Sequence, residues 1–374
     1  MSDEETYFDP DDISPEDFLE LLRDAVSSGD APGDDSRGGS RAAVRDDDAF
    51  NFATVAEAEE LIDRYLSGGG GNGGELRRVA DWLLVHGEGL SETANDWHDL
   101  IMHFIRCNDY RYVYKLAMRA LERFPFDASL LGDAAQATGK GGFWKEGEQV
   151  IAQAQRLPKR YWNWYLCCWI CEFYLSLATA SDPEQRSAII AKGVEVAEDC
   201  RRQFPLEERI YNQEAELLIA DCRIDDARRV LEDAIYNPHR ANDGTEHGIL
   251  CPQCCITYLE SILEGTNDYD RIIDIARRGT KNAASKESST KVGYFVFREA
   301  LALDGMIHEE EERSHARGFG NQDLVRQALE TYKLAYELRK REGMTMNCRT
   351  IRERFDILCG KSGITDLSLG CDED

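Results

Sequence analysis

The chain has 374 residues with 71 Asp and Glu against 44 Lys and Arg, so its formal charge is −27 and its sequence pI is near 4.7. That balance disfavours nucleic acid and anionic membrane as partners, because phosphates are held by clustered Lys and Arg that release counterions. With 42% hydrophobic residues a large core can still form; no apolar run approaches the ~18 residues that span a bilayer, and MSDEETYFDPDD is the opposite of a secretory leader. These features predict a cytoplasmic protein whose twelve cysteines are reduced thiols.

Residues 1–50 carry 16 acids and 4 Arg, a net of −12, which leaves −15 on the other 324 residues. This segment reads as an acidic, mostly disordered tail. Within it, Ser14-Pro15-Glu16-Asp17 supplies a helix cap, a proline at the first helical position and first-turn acids. Phe18, Leu21, Leu22 and Ala25 then share one face of a short amphipathic helix near 15–26. So short a helix is marginal in water and needs a groove to dock into, on its own chain or on another. The linker SSGDAPGDDSRGGS follows.

Residues 51–364 read as helix almost throughout, ahead of a short acidic tail at 365–374. The expected segments are 52–66, 75–86, 95–107, 110–124, 128–138, 143–156, 161–179, 184–204, 208–221, 225–237, 252–264, 268–280, 290–310, 322–342 and 348–359. VGYFVF at 292–297 is β-like in composition but runs unbroken into REALALDGM, so it reads as buried helix. The Gly-rich run from Ser67 to Gly74 lacks a preceding strand and a Gly-Lys-Ser/Thr ending, so it is a linker and not a phosphate loop.

Pro125, Pro158, Pro205 and Pro238 each end a helix, at separations of 33, 47 and 33 residues, which is the period of a two-helix repeat. In 208–239, Tyr211, Ala215 and Leu218 lie on the first helix, Cys222 stands at the turn, and Ala227, Leu231 and Ala234 on the second helix precede Pro238. Leu131, Ala134, Ala135, Gly142, Gly147, Ile151, Ala154 and Pro158 repeat the scheme, and Gly193, Ala197, Cys200 and Pro205 supply half of another unit. These stretches resemble the tetratricopeptide repeat. The resemblance implies an all-α fold, a right-handed α-solenoid of about seven antiparallel helix pairs, with a concave face lined by the first helix of each pair.

In that family the concave face captures a peptide of another protein. The positions that would face it here are Arg209, Asn212 and Glu216, and earlier Gly132, Gln136 and Lys140. The family's Lys-x-x-x-Asn pattern for chaperone tails is absent from them. The segment Tyr161–Cys171, with Trp162, Trp164, Tyr165 and Trp169, is apolar on nearly every face; it is either enclosed or leaves aromatic surface of the kind that dominates interfaces.

A structural zinc site could be drawn from His247, Cys251 and Cys254, and a weaker one from His308, Glu311, Glu312 and His315, although each has a plain structural reading. No catalytic constellation and no cofactor motif is present. The expectation is a non-enzymatic adaptor or scaffold that binds a partner protein or peptide through the solenoid groove, with the acidic N-terminal helix as a docking or autoinhibitory element. A regulatory subunit or peptide-signal receptor, and a zinc protein built on His247, Cys251 and Cys254, are the alternatives.

Overall fold

The computed structural model describes residues 54–67, 73–87, 92–240, 244–286, 289–314 and 321–369. The expected helix 15–26 with Phe18, Leu21 and Leu22, the rest of the 1–50 tail, His315 and residues 370–374 lie outside them. The described residues form fifteen α-helices: α1 (Val55–Ser67), α2 (Gly73–His86), α3 (Ala94–Arg106), α4 (Tyr110–Arg123), α5 (Ala128–Gly141), α6 (Trp144–Ala154), α7 (Trp164–Ala180), α8 (Pro183–Gln203), α9 (Glu208–Ala220), α10 (Ile224–Tyr236), α11 (Pro252–Thr257), α12 (Tyr269–Ser285), α13 (Ser289–Ser314), α14 (Gln322–Arg341) and α15 (Thr345–Ser362). Two-residue strands at His239–Arg240 and Glu246–His247 are the only ones among them. The fold is all-α, and no helix in the described residues is long and apolar enough to cross a membrane.

The chain divides into two compact units, one within Ser36–Val230 and His239–Thr245, the other within Leu231–Pro238 and Glu246–Asp374. In the first, α1 packs on α2, each helix from α3 to α8 packs on the next, and alternate helices also pack together: α1 on α3, α3 on α5, α5 on α7, α7 on α9, and α2 on α4. Two layers of stacked helix pairs result, with α1, α3, α5, α7 and α9 in one layer. Trp97, Leu100, Ile101 and Phe104 of α3, Leu130 and Leu131 of α5, and Leu166, Ile170 and Phe173 of α7 are almost wholly buried between the layers.

Local chemistry fixes where the helices begin. Thr93 and Asp96 form a reciprocal cap on α3, the Thr93 hydroxyl accepting from the Asp96 amide at 3.3 Å while the Asp96 carboxylate accepts from the Thr93 amide at 2.6 Å. Asp127 accepts from the Ser129 and Leu130 amides at the start of α5. Asn163 accepts from the Leu166 amide at 2.8 Å, so α7 starts at Trp164 and not at 161. The residues before it, Lys159–Tyr161, form one tight helical turn.

The turns inside the pairs share one construction. Asn108 (φ 56°), Gly142 (φ 71°) and Cys222 (φ 59°) are left-handed. The following amides, of Asp109, Phe143 and Arg223, reach back five residues to the carbonyls of Phe104, Thr138 and Leu218 at 3.0, 2.9 and 2.8 Å. This left-handed cap satisfies carbonyls that a helix end leaves open. Asn108 and Gly142 are 34 residues apart (142−108), so the period extends back to α3 and α4. Gly343 (φ 69°) repeats the turn between α14 and α15, where the Met344 amide bonds the Arg339 carbonyl at 3.0 Å.

Close approach between helices depends on missing side chains. A Cβ on Gly132 would lie 2.6 Å from the Tyr165 ring, and one on Gly147 would lie 2.0 Å from the Phe173 ring. The aromatics of α7 therefore fill notches in α5 and α6. Cys167 and Cys200 are joined in a disulfide that ties α7 to α8, which corrects the expectation of twelve reduced thiols. The pairing helices bring the two Cα atoms within 6.2 Å, although 33 residues separate them in sequence.

In the second unit, α11 runs into a wider π-helical turn, Tyr258–Ile262, and α12 to α15 pack each on the next. Phe295 is fully buried, with Val292 and Val296 beside it, so the β-like run is core helix as expected.

Candidate functional site

The layer of α3, α5, α7 and α9 carries a run of polar and aromatic side chains that the core does not require. Asp133 on α5 is its deepest member, with no exposed surface. One carboxylate oxygen accepts the Tyr165 hydroxyl of α7 at 2.8 Å, and the other contacts Nδ1 of His98 on α3 at 2.9 Å. The Tyr165 oxygen also lies 3.0 Å from Oε1 of Gln136. Gly132 gives the Tyr165 ring its place, and Asn163 donates to the Ser129 hydroxyl at 3.1 Å, fixing α7 against α5.

The electrostatics follow from burial. Desolvation pushes the Asp133 carboxyl above the ordinary carboxylate value, against the opposing hydrogen bonds from His98 and Tyr165. The hydrogen bond to Asp133 raises the His98 pKa although burial opposes it. Burial, with the adjacent Asp133 charge, also drives the Tyr165 hydroxyl far above its usual value, so it stays a donor. The His98 side chain keeps about a quarter of its surface open, at 23%, and is the accessible end of the cluster.

Around Tyr165 the rings of His98, Trp164 and Trp169 stand edge-on at centroid distances of 5.3, 5.8 and 5.9 Å. The Arg209 guanidinium of α9 lies 4.7 Å over the Trp164 ring. Further along, Lys140 of α5 pairs with Glu172 of α7, and Asn212 donates to Glu216 at 2.8 Å on α9. Burial raises the Glu216 pKa; Asn212 opposes the shift, Glu172 adds to it and Lys140 opposes it. Charges on three helices thus act on one another across this face.

Of the residues expected from sequence, Gln136, Lys140, Trp164, Tyr165, Arg209, Asn212 and Glu216 are joined by these contacts. Trp162 is not part of the set: it is 5% exposed, and its indole N–H donates to the carbonyls of Ala154 and Leu157 at 3.2 Å, closing the turn after α6. Sequence reasoning missed His98, Asp133 and Glu172. Asp133 is the lone acid in ASLLGDAAQATGKG, which was the available signal.

Among the described residues, His247, Cys251 and Cys254 do not bring three ligand atoms within 4.8 Å of one another. Cys251 is buried, and its thiol donates to the Ala234 carbonyl at 3.5 Å and accepts from Asn282 at 3.6 Å. His308 lies 3.5 Å from Asp304 and 3.6 Å from Glu311. Among the described residues, the group that brings three ligand atoms within 4.8 Å of one another is Glu59, Asp63 and His103.

No family model matches the chain, and no curated protein matches it.

Proposed function

We propose that the chain is a non-enzymatic, tetratricopeptide-like adaptor that binds a peptide segment of a partner protein on the face of α3, α5, α7 and α9. The supporting observation is the Asp133–His98–Tyr165 cluster and its surrounding aromatic ring set. Burying a carboxylate and a tyrosine hydroxyl costs free energy that an apolar core would avoid, and these groups lie side by side on one layer. On this reading the Trp164 and Trp169 rings and the open edge of His98 receive side chains of the peptide. Arg209 holds its backbone or a carboxylate by hydrogen bonds, while the buried Gln136 and Asn212 position Tyr165 and Glu216 behind it. The adaptor acts in the cytoplasm, where the Cys167–Cys200 bond is shielded from exchange because both residues are at most 3% exposed. Segment 15–26, with Phe18, Leu21 and Leu22, is a second docking element.

Paired affinity capture tests the reading. The wild-type chain and an Arg209→Ala/Trp164→Ala/Gln136→Ala variant of unchanged circular dichroism are used as bait in extracts of the source cell. Proteins retained by the wild type should be lost by the variant, and binding of a peptide mapped from them should weaken at least tenfold. Equal retention by both baits would refute this use of the face.

A further inference from the structure

We propose that Glu59, Asp63 and His103 bind one divalent first-row metal ion of the Zn2+ or Mn2+ kind. Glu59 and Asp63 are four residues apart on α1, which makes them neighbours on one helical face, and α3, which carries His103, packs on α1. His103 is 4% exposed, while the Glu59 and Asp63 side chains keep 29% and 61% of their surface. A buried imidazole thus stands at the base of the group, with two carboxylates at its mouth.

The two ring nitrogens face different carboxylates. Nε2 lies 3.4 Å from Glu59 Oε1 and Nδ1 lies 3.5 Å from Asp63 Oδ1. Nδ1 is buried and has no hydrogen-bond partner. A neutral imidazole offers one N–H and one lone pair, so donation from Nε2 to Glu59 leaves the Nδ1 lone pair directed at a carboxylate oxygen. Two electron-rich atoms then oppose each other, the imidazole one buried and without a hydrogen bond. A cation between them turns that repulsion into coordination, and its two charges cancel those of the two carboxylates.

The spacing agrees. Separations of 3.4 and 3.5 Å are long for charge-assisted hydrogen bonds, which run at ~2.7–2.9 Å. One ion takes one ring nitrogen: the 3.5 Å from Nδ1 to Asp63 is close to the ~3.4 Å between two ligand atoms held tetrahedrally at ~2.1 Å from zinc, Nε2 keeps its hydrogen bond to Glu59, and one ligand atom from each of the three residues lies within 4.8 Å of the others. Imidazole with carboxylates and no thiolate suits Zn2+ or Mn2+ and disfavours softer ions. Three side chains leave at least one position for water.

Mn2+ is the probe of choice, because thiolates bind it poorly and the cysteines outside the Cys167–Cys200 bond stay silent. The full chain, stripped with chelator, is titrated with Mn2+ while electron paramagnetic resonance reports the free ion. One saturable site is expected, with the His103 imidazole signal broadened by Mn2+ in NMR. Asp63→Asn, at the exposed edge, should weaken binding at least tenfold with an unchanged melting temperature, and His103→Gln should abolish it. Non-saturating uptake alone, equal affinity in Asp63→Asn, or a His103 signal untouched by Mn2+ would each overturn the site.

Discussion

At the scale of single residues, His98 and Asp133 set a pH dependence whose sign can be worked out. His98 is faced by Asp133 from α5 and Tyr165 from α7, with Asp99 on its own helix and Asp127 further off. Its folded pKa lies above the ordinary histidine value, so its contribution is complete below about pH 6.5 and is lost as pH rises through the folded pKa. Asp133 is also raised, and its ionisation above about pH 4 acts in the same direction. Asp133→Asn should return the His98 titration toward ~6.5 and flatten the decline of stability with pH. Imidazole NMR shifts and urea unfolding at several pH values measure both, and an unmoved His98 titration would disprove the coupling. The glycine notches make a second test. Gly132→Ala and Gly147→Ala should each cost about 1–3 kcal/mol through overpacking, although alanine is the better helix former by ~1 kcal/mol. Gly360→Ala, where nothing lies within 4 Å, should instead stabilise by ~0.5–1 kcal/mol, as thermal unfolding would record.

At the scale of elements, the repeated left-handed turns carry a cost where the residue is not glycine. Cys222 holds φ 59° between α9 and α10, a conformation that costs an L-residue roughly 1–2 kcal/mol. Cys222→Gly should therefore raise stability by about 1 kcal/mol in denaturant titration; a loss would mean that the Cys222 side chain contributes more than the strain removes. The Cys167–Cys200 bond ties the first helix of a pair to the second. Its 33-residue loop predicts about 3–4 kcal/mol from restriction of the unfolded chain. Cys200→Ala should show that loss, and thiol counting under denaturing, non-reducing conditions should find two fewer free thiols than twelve.

At the scale of the molecule, most of the fold was legible because helical spacing, caps and prolines are local signals. The fifteen expected segments match the fifteen helices to within a few residues at most ends. Trp162 was misplaced because Asn163 was not recognised as the cap that starts α7 after it. Gln136, Lys140, Arg209, Asn212 and Glu216 were legible because one helix face follows from counting in threes and fours. His98 and Asp133 were not, since their partnership spans two helices and no spacing encodes it. The Glu59–Asp63–His103 group was hidden for the same reason. The net charge of −27 should make stability depend on salt: self-repulsion is screened as the Debye length falls, so the melting temperature should climb between low and ~0.5 M NaCl. The position of α7 has a kinetic corollary. It is hemmed in by α5, α6, α8 and α9, whereas α15 rests on α14 and leaves Met346 and Ile357 in solvent. Backbone amides of α7 should trade their protons only when the whole unit opens, while α15 frays first and gives a protease its earliest cut.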